Sequence, residues 1–129
     1  MRLFMLVIIL MTVFNYIKYK NKIINDKFIQ NLKQLKKDGK VYKAEIINVY
    51  GNDIRYKFVD DNDKEHFGMS SLVLSHNDLN KVNVYCNKDD YTNNCSEYTI
   101  LEVENQIGMT NCLFLLCGCF EILLLYILW

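Results

Sequence analysis

The sequence predicts an α+β membrane protein in which two transmembrane helices flank a small antiparallel β-sheet or open barrel of about five strands. Two apolar runs, at residues 3–17 and 107–129, predict the helices. Between them, alternating apolar and polar residues, interrupted by turn residues, predict the strands. With 129 residues and a formal net charge of +0, the chain has room for one domain at most. Its balanced charge offers no electrostatic footprint for nucleic acid.

The first apolar run favours an uncleaved signal anchor, with transmembrane helix 1 at residues 1–19. Arg2 supplies a minimal positive region, but the stretch TVFNYIKYK at 12–20 lacks the small residues of a cleavage site. A span needs about 17–25 residues. The first run therefore suffices only if Tyr16 and Tyr19 lie in the membrane interface and Lys18 extends towards the headgroups. The second run, transmembrane helix 2 at residues 107–129, is long enough by itself.

Residues 20–39 are predicted to continue the first helix to about residue 38 as a helical extension or linker. The apolar residues of this stretch recur at helical spacing and are Ile24, Phe28, Leu32 and Leu35. Gly39 follows at the position where helix ends favour glycine. The apolar stripe would either pack on the central domain or lie along the membrane surface. The lysines would form a solvated face or bind anionic lipid headgroups.

Residues 40–104 are predicted to form the β-domain as an antiparallel meander. The five predicted strands are residues 40–50, 54–58, 65–70, 82–86 and 98–103. Gly51-Asn52-Asp53 and the stretch DDNDK at 60–64 are predicted turns. The stretch at 72–81 is predicted to be irregular, with a small apolar group formed by Leu72, Val73, Leu74 and Leu79.

This arrangement resembles the domain-of-unknown-function 3592 family of small membrane proteins. The segments that carry the resemblance are KAEIINVY, IRYKFVDDNDKEHFG and KVNVYCNKDDYTNNCSEYTI. Matching residues are Tyr56, Phe58, Asp60 and Asp63 in a hairpin, and Val82, Val84 and Asp89 in a later segment. Lys64 stands where the family usually has glycine, and the family's prolines are missing. The resemblance implies two spans around a small β-domain and a membrane location, without an activity or binding residues.

The candidate metal ligands and catalytic groups have spacings that fit no compact motif. An EF-hand loop counted from Asp61 would need Gly and Glu where His66 and Leu72 stand. The acidic stretch is therefore predicted to be a solvated hairpin turn. His66, His76, Cys86 and Cys95 also lack zinc-motif spacing, and the histidines are predicted to be ordinary surface residues. No catalytic, cofactor-binding or metal-binding residue is assigned, and the chain is predicted not to be an enzyme, with no small-molecule substrate.

Cys86 and Cys95 flank the polar loop NKDDYTNN and would form a disulfide only if the domain is non-cytosolic. Such a bridge would contribute about 2–3 kcal/mol. Asn94 begins an N-x-S sequon and is a candidate glycosylation site. The lysines that follow the first span, at positions 18, 20, 22 and 27, instead favour a cytosolic domain. The sequence leaves both orientations open, and it does not indicate which membrane holds the chain.

Glu121 is the intramembrane polar residue of the second span. An ionised and unpaired carboxylate in hydrocarbon costs at least ~2 kcal/mol. Glu121 is therefore expected to face the first span or to be protonated, at a level nearer Arg2 than Asn15, with Arg2 as a candidate cationic partner.

The function that the sequence favours is a membrane-anchored β-domain interaction module without catalytic activity. Its expected partners are membrane lipid and a protein bound through exposed edge strands. The alternative is a small membrane-active oligomer or accessory subunit that uses the polar face of the second span. The remote alternative is an enzyme with a polar pocket around His66 or His76.

Overall fold

The computed structural model describes residues 1–71 and 80–128. The apolar group predicted within residues 72–79, together with His76, lies outside the described residues, as does Trp129. The chain forms two compact units. One unit contains the terminal segments Met1–Lys27 and Asn105–Trp129, and the other is Phe28–Glu104.

Three helices and five strands make up the described chain. The helices are α1 (Arg2–Asn25), α2 (Lys27–Asp38) and α3 (Glu97–Leu128). The strands are β1 (Lys40–Tyr50), β2 (Asp53–Val59), β3 (Glu65–Ser71), β4 (Lys81–Cys86) and β5 (Asn94–Ser96). Long apolar helices at both ends and a five-stranded antiparallel sheet between them confirm the predicted α+β fold class.

Among the described residues, α1 and α3 are the helices long and apolar enough to cross a membrane. Within the terminal unit they pack through aromatic rings. Phe114 lies 5.3 Å from Tyr16 and 5.6 Å from Tyr19, measured between ring centroids.

The predicted continuous helix to residue 38 is wrong, because the chain leaves the helical conformation at Asp26. Asp26 has φ −74° and ψ 110°, and a ψ in this range is extended rather than helical. A separate helix, α2, starts at Lys27 and ends before Gly39. The Gly39 N–H donates to the carbonyl of Leu35 at 2.9 Å, and a Cβ at position 39 would collide with that carbonyl. Glycine therefore follows the helix where the sequence places it.

The sheet is not the predicted meander. Its strand order is β3-β2-β1-β4-β5, so β4 returns to pair with β1 on the side opposite β2. Residues 40–45 of β1 pair with β4, and residues 45–50 pair with β2, with a shift of register between Ile46 and Asn48. A partly open, five-stranded Greek-key barrel results.

Both predicted hairpin turns are confirmed. Gly51, with φ +60°, begins the two-residue turn between β1 and β2, a position where a hairpin requires a left-handed backbone. Between β2 and β3, the Asp60 N–H donates to the Lys64 carbonyl at 3.0 Å, and Asp63 takes φ 59°. Aspartate tolerates this conformation better than most residues.

The fifth strand lies earlier than predicted. Residues 98–103 belong to α3, and Asn94–Ser96 form β5. The Ser96 hydroxyl accepts the Thr99 N–H at 3.2 Å, which is the hydrogen bond of a helix N-cap. The same hydroxyl donates to Ser70 Oγ at 2.5 Å, so the residue that starts α3 also links β5 to β3 and narrows the opening of the barrel.

Two hydrophobic clusters hold the β-domain together. The barrel interior contains Ala44, Ile54, Tyr56, Phe58, Val82, Val84, Cys86 and Tyr98. The second cluster joins α2 to β5 and the start of α3, and contains Leu32, Leu35, Cys95 and Ile100. The apolar stripe of α2 at Leu32 and Leu35 therefore packs on the β-domain, which decides between the two roles considered for it.

Candidate functional site

The outer surface of β2 and β3 presents the first candidate site. The alternation of β2 turns Ile54, Tyr56 and Phe58 into the barrel and leaves Arg55 and Lys57 outside. Across the sheet, Arg55 pairs with Met69 and Lys57 with Phe67. We call Arg55, Lys57, Phe67 and Met69 the apolar–basic face.

Apolar side chains on this face are well exposed for their size. Phe67 is 49% exposed and Met69 is 66% exposed. The Arg55 guanidinium lies 5.5 Å from the Phe67 ring centroid, within cation–π range. Lys57 forms an ion pair with Glu65 at 3.1 Å. An exposed aromatic ring beside an arginine is the composition enriched at the centres of protein interfaces.

A buried carboxylate and an imidazole form the second candidate site, at the β2–β3 turn. Asp60 Oδ2 lies 2.8 Å from His66 Nε2. Asp60 Oδ1 accepts the backbone N–H groups of Asn62 at 2.8 Å and Lys64 at 3.0 Å. The side chain of His66 is only 14% exposed. The prediction of a surface histidine is therefore wrong for His66, because the hairpin returns it to a position beside Asp60.

Two aromatic rings stack against the His66 imidazole. Its ring centroid lies 5.3 Å from that of Phe58 and 4.9 Å from that of Tyr91, with interplanar angles of 24° and 25°. Tyr42 completes the group at 5.4 Å from Phe58 and 6.1 Å from Tyr91. This packing fixes the imidazole plane and restricts access to it.

The carboxylate of Asp61 at this turn also has partners. Lys40 is bonded to Asp61, and the Tyr42 hydroxyl donates to the same carboxylate at 3.2 Å. The bond from Lys40 lowers the pKa of Asp61, whereas burial raises the pKa of Tyr42 well above its ordinary value. Within residues 1–71 and 80–128, no group of three or more His, Cys, Asp or Glu side chains is placed to hold a metal ion.

Burial makes Cys86 and Cys95 poor candidates for a nucleophile. Burial raises the pKa of Cys86 and that of Cys95 to about 11 in each case, whereas reactive cysteines have lowered pKa values. Cys86 Sγ donates to the Tyr91 carbonyl at 3.5 Å. The geometry thus favours a structural role for the Asp60–His66 pair, which ties the turn to the β4–β5 loop through Tyr91.

Acid should weaken the β-domain through Asp60. The hydrogen bond with His66, reinforced by two backbone N–H groups, lowers the pKa of Asp60 in the folded chain. A lowered folded-state pKa stabilises the fold above the unfolded pKa, about 3.9, and this contribution is lost as pH falls through the folded value. We expect Asp60→Asn to flatten the decline in unfolding free energy between about pH 4 and pH 2. His66→Phe, which keeps an aromatic ring but removes the bond, should flatten it in part. If the unfolding free energy of both variants falls with acid as steeply as that of the wild type, this assignment is contradicted.

The disulfide considered for Cys86 and Cys95 is absent, and both thiols are free. Tyr85 pairs with Cys95 and Cys86 pairs with Asn94 across β4 and β5. Directly paired residues share a face of the sheet and adjacent residues alternate, so the two thiols lie on opposite faces. Their membership of different hydrophobic clusters agrees with this. A disulfide between Cys86 and Cys95 would require β5 to present its opposite face.

Asn94, the candidate glycosylation site, directs its side chain into hydrogen bonds within the domain. Its Nδ2 donates to the carbonyl of Tyr91 at 2.8 Å and to that of Thr92 at 3.4 Å. Its Oδ1 accepts the Tyr56 hydroxyl at 2.9 Å. A glycan on Nδ2 would displace these bonds, so glycosylation is compatible only with a rearranged β4–β5 loop.

Glu121 turns towards α1 within the terminal unit. Its Oε1 accepts the Thr12 hydroxyl at 2.6 Å, whereas its Oε2 is buried without a hydrogen-bond partner among the described residues. Both residues line a cleft of about 210 Å³ with otherwise largely apolar walls. The expectation that Glu121 lies at a level nearer Arg2 than Asn15 is wrong. Thr12 is three residues from Asn15, whereas ten residues, about 15 Å along a helix, separate it from Arg2.

No protein-family model, curated protein or solved structure matches this chain. Sequence reasoning missed the Asp60–His66 pair, because Asp60 lies in the turn and His66 pairs with Phe58 across the hairpin, so strand pairing alone does not bring the two side chains together. It also did not single out Phe67 and Met69, whose i, i+2 spacing on a strand was the available signal.

Proposed function

We propose that this chain is a membrane-anchored interaction module without catalytic activity, in which two spans hold a β-domain that binds a protein partner. The observation that carries the proposal is the exposure of the two apolar helices. Only 6% of the most apolar window of α1 and 0% of that of α3 is buried. Such a large exposed apolar surface is unfavourable in water, and lipid is the environment that would cover it.

The same proposal accounts for the β-domain. Its buried polar side chains serve internal packing, whereas Phe67 and Met69 remain uncovered. We therefore assign partner binding to the apolar–basic face rather than to a catalytic pocket. The resemblance to the domain-of-unknown-function 3592 family supports this proposal, since it implies two spans, a β-domain and no activity.

The test compares the partners that co-purify with the full-length chain from detergent. The variant Phe67→Ser/Met69→Ser removes the apolar part of the face. We expect at least ten-fold less of a specific partner to co-purify with it, which corresponds to a loss of about 1.4 kcal/mol or more of binding free energy. The matched control is Val41→Ser/Val49→Ser, which removes two apolar side chains of similar exposure, 50% and 46%, and should retain the partner. Equal capture by both variants, with circular dichroism showing intact folds, would contradict the assignment.

A second candidate function rests on the carboxyl oxygen of Glu121 that lacks a partner. A polar atom left unsatisfied in hydrocarbon is costly, and a donor from another transmembrane helix would relieve the cost. The chain would then be a small membrane-active oligomer or accessory subunit that uses the polar face of α3. Cross-linking in native membranes tests this candidate: Glu121→Leu should abolish a cross-linked oligomer, and a wild-type chain that stays monomeric would exclude it.

A further inference from the structure

An aromatic group and a set of lysines meet at one end of the terminal unit. Phe114 packs against Tyr16 and Tyr19, and tyrosines are enriched where hydrocarbon meets the headgroups. Lys18 and Lys22 lie beside or just beyond these rings on α1 and are both exposed. Lys20 differs, because its Nζ lies 5.4 Å from the Tyr16 ring centroid.

Lys18 and Lys22 are four residues apart and so share one face of α1. Two ammonium groups at this spacing repel each other, and the repulsion weakens a helix. Within residues 1–71 and 80–128, neither lysine forms an ion pair with a carboxylate. Lys36 and Lys57 differ in this respect: Lys36 bonds Glu104 at 2.5 Å, and Lys57 bonds Glu65.

No described carboxylate of the terminal unit forms an ion pair with this face. Its part of α3, residues 105–128, contains a single acidic residue, Glu121, which lies seven residues from Phe114, about 10 Å along the helix. Asp26 follows Lys22 by four residues, but no ion pair joins the two side chains. An external anion is therefore the remaining counter-charge for the lysine pair.

We propose that Lys18 and Lys22 form a phosphate clamp for an anionic phospholipid of the adjoining leaflet. The inference rests on the proposed insertion of α1 and α3 in a membrane. One lipid phosphate between the two ammonium groups relieves their repulsion, and the acyl chains of the same lipid cover the exposed apolar surface of α1 below. The neighbouring tyrosines hold the lysines at headgroup depth. Attraction of about 1 kcal/mol per lysine is typical at an anionic surface, which corresponds to roughly five-fold per lysine.

The test measures which lipid the full-length chain prefers in its boundary layer. The protein is reconstituted in phosphatidylcholine bilayers with trace spin-labelled phosphatidylglycerol or spin-labelled phosphatidylcholine. We expect the relative association constant to favour phosphatidylglycerol by at least about five-fold at about 0.05 M NaCl and to fall at about 0.5 M NaCl, where charges are screened. In the variant Lys18→Gln/Lys22→Gln the relative association constant of phosphatidylglycerol over phosphatidylcholine should approach one. The variant Lys18→Arg/Lys22→Arg, which keeps both charges, should retain the wild-type preference for phosphatidylglycerol.

The matched control is Lys33→Gln/Lys37→Gln, which removes an exposed lysine pair of the same spacing from α2. It should leave the lipid preference unchanged, and an equal loss in both double variants would overturn the clamp in favour of diffuse attraction. A second arm adds inorganic phosphate against chloride at equal ionic strength. If inorganic phosphate abolishes the preference for phosphatidylglycerol and chloride does not, the proposal that the ligand is a lipid is overturned.

A third arm separates this inference from the proposed function. Alkaline carbonate should leave the reconstituted wild-type chain in the bilayer. If the chain stays but shows no preference for phosphatidylglycerol, only the clamp is overturned. If carbonate releases the chain, the membrane anchor and the clamp are both overturned.

Discussion

Replacing Gly68 by alanine should lower the free energy of unfolding of the β-domain by about 1–3 kcal/mol, the usual cost of overpacking. Gly68 pairs directly with Tyr56 across β2 and β3, and a Cβ at position 68 would overlap the end of the Tyr56 ring. The ring has little freedom to move, because Tyr56 is buried and its hydroxyl donates to Asn94. Chemical denaturation of the full-length chain in detergent, followed by near-ultraviolet circular dichroism, measures the loss.

The sign of this effect is diagnostic. In an open strand or helix, Gly→Ala is expected to stabilise by about 0.5–1 kcal/mol. Gly108 provides the control, since a Cβ there meets nothing within 4 Å, and Gly108→Ala should not destabilise α3. In a Tyr56→Leu background, which removes the obstructing ring atoms, Gly68→Ala should cost much less. A stabilising Gly68→Ala in the wild-type background would refute the packing of Tyr56 over this glycine.

Replacing Glu121 by lysine should destabilise the terminal helical hairpin by about 2 kcal/mol or more. The lysine would place an ammonium group in an apolar cleft whose nearest polar side chain is the Thr12 hydroxyl. Glu121→Gln should be tolerated, because its amide oxygen can still accept from Thr12 and the side chain is uncharged. Titration of mixed micelles with sodium dodecyl sulfate, followed by energy transfer between dyes at the two ends of the hairpin, measures the stability.

A double-mutant cycle identifies the partner of Glu121. Thr12→Val should lower hairpin stability in the wild type and much less in a Glu121→Leu background, whereas Thr12→Ser, which keeps the hydroxyl, should be mild. Arg2→Ala provides the comparison, because the level of Glu121 beside Thr12 leaves Arg2 about 15 Å away along α1. Coupling of Glu121 to Arg2 rather than to Thr12 would contradict the observed packing.

The features that the sequence determined by itself are those set by neighbours along the chain. Two uninterrupted apolar runs specify α1 and α3, because helices of that length and composition are recognisable without any partner. The alternation from Ile54 to Phe58 specifies a strand with one buried face, and Gly51 marks its hairpin by its left-handed backbone.

Only the tertiary structure decided how these elements meet. β4 pairs with β1 across residues far apart in sequence, and alternation within a strand carries no information about which strand lies beside it. The YTILEV segment alternates like a strand, yet the cap formed by Ser96 and the packing of Ile100 against α2 place it in a helix. The same long-range packing puts Cys86 and Cys95 on opposite faces, stacks His66 against Phe58 and Tyr91, and sets Thr12 opposite Glu121. These outcomes depend on contacts between segments that loop closure brings together, and no local pattern encodes them.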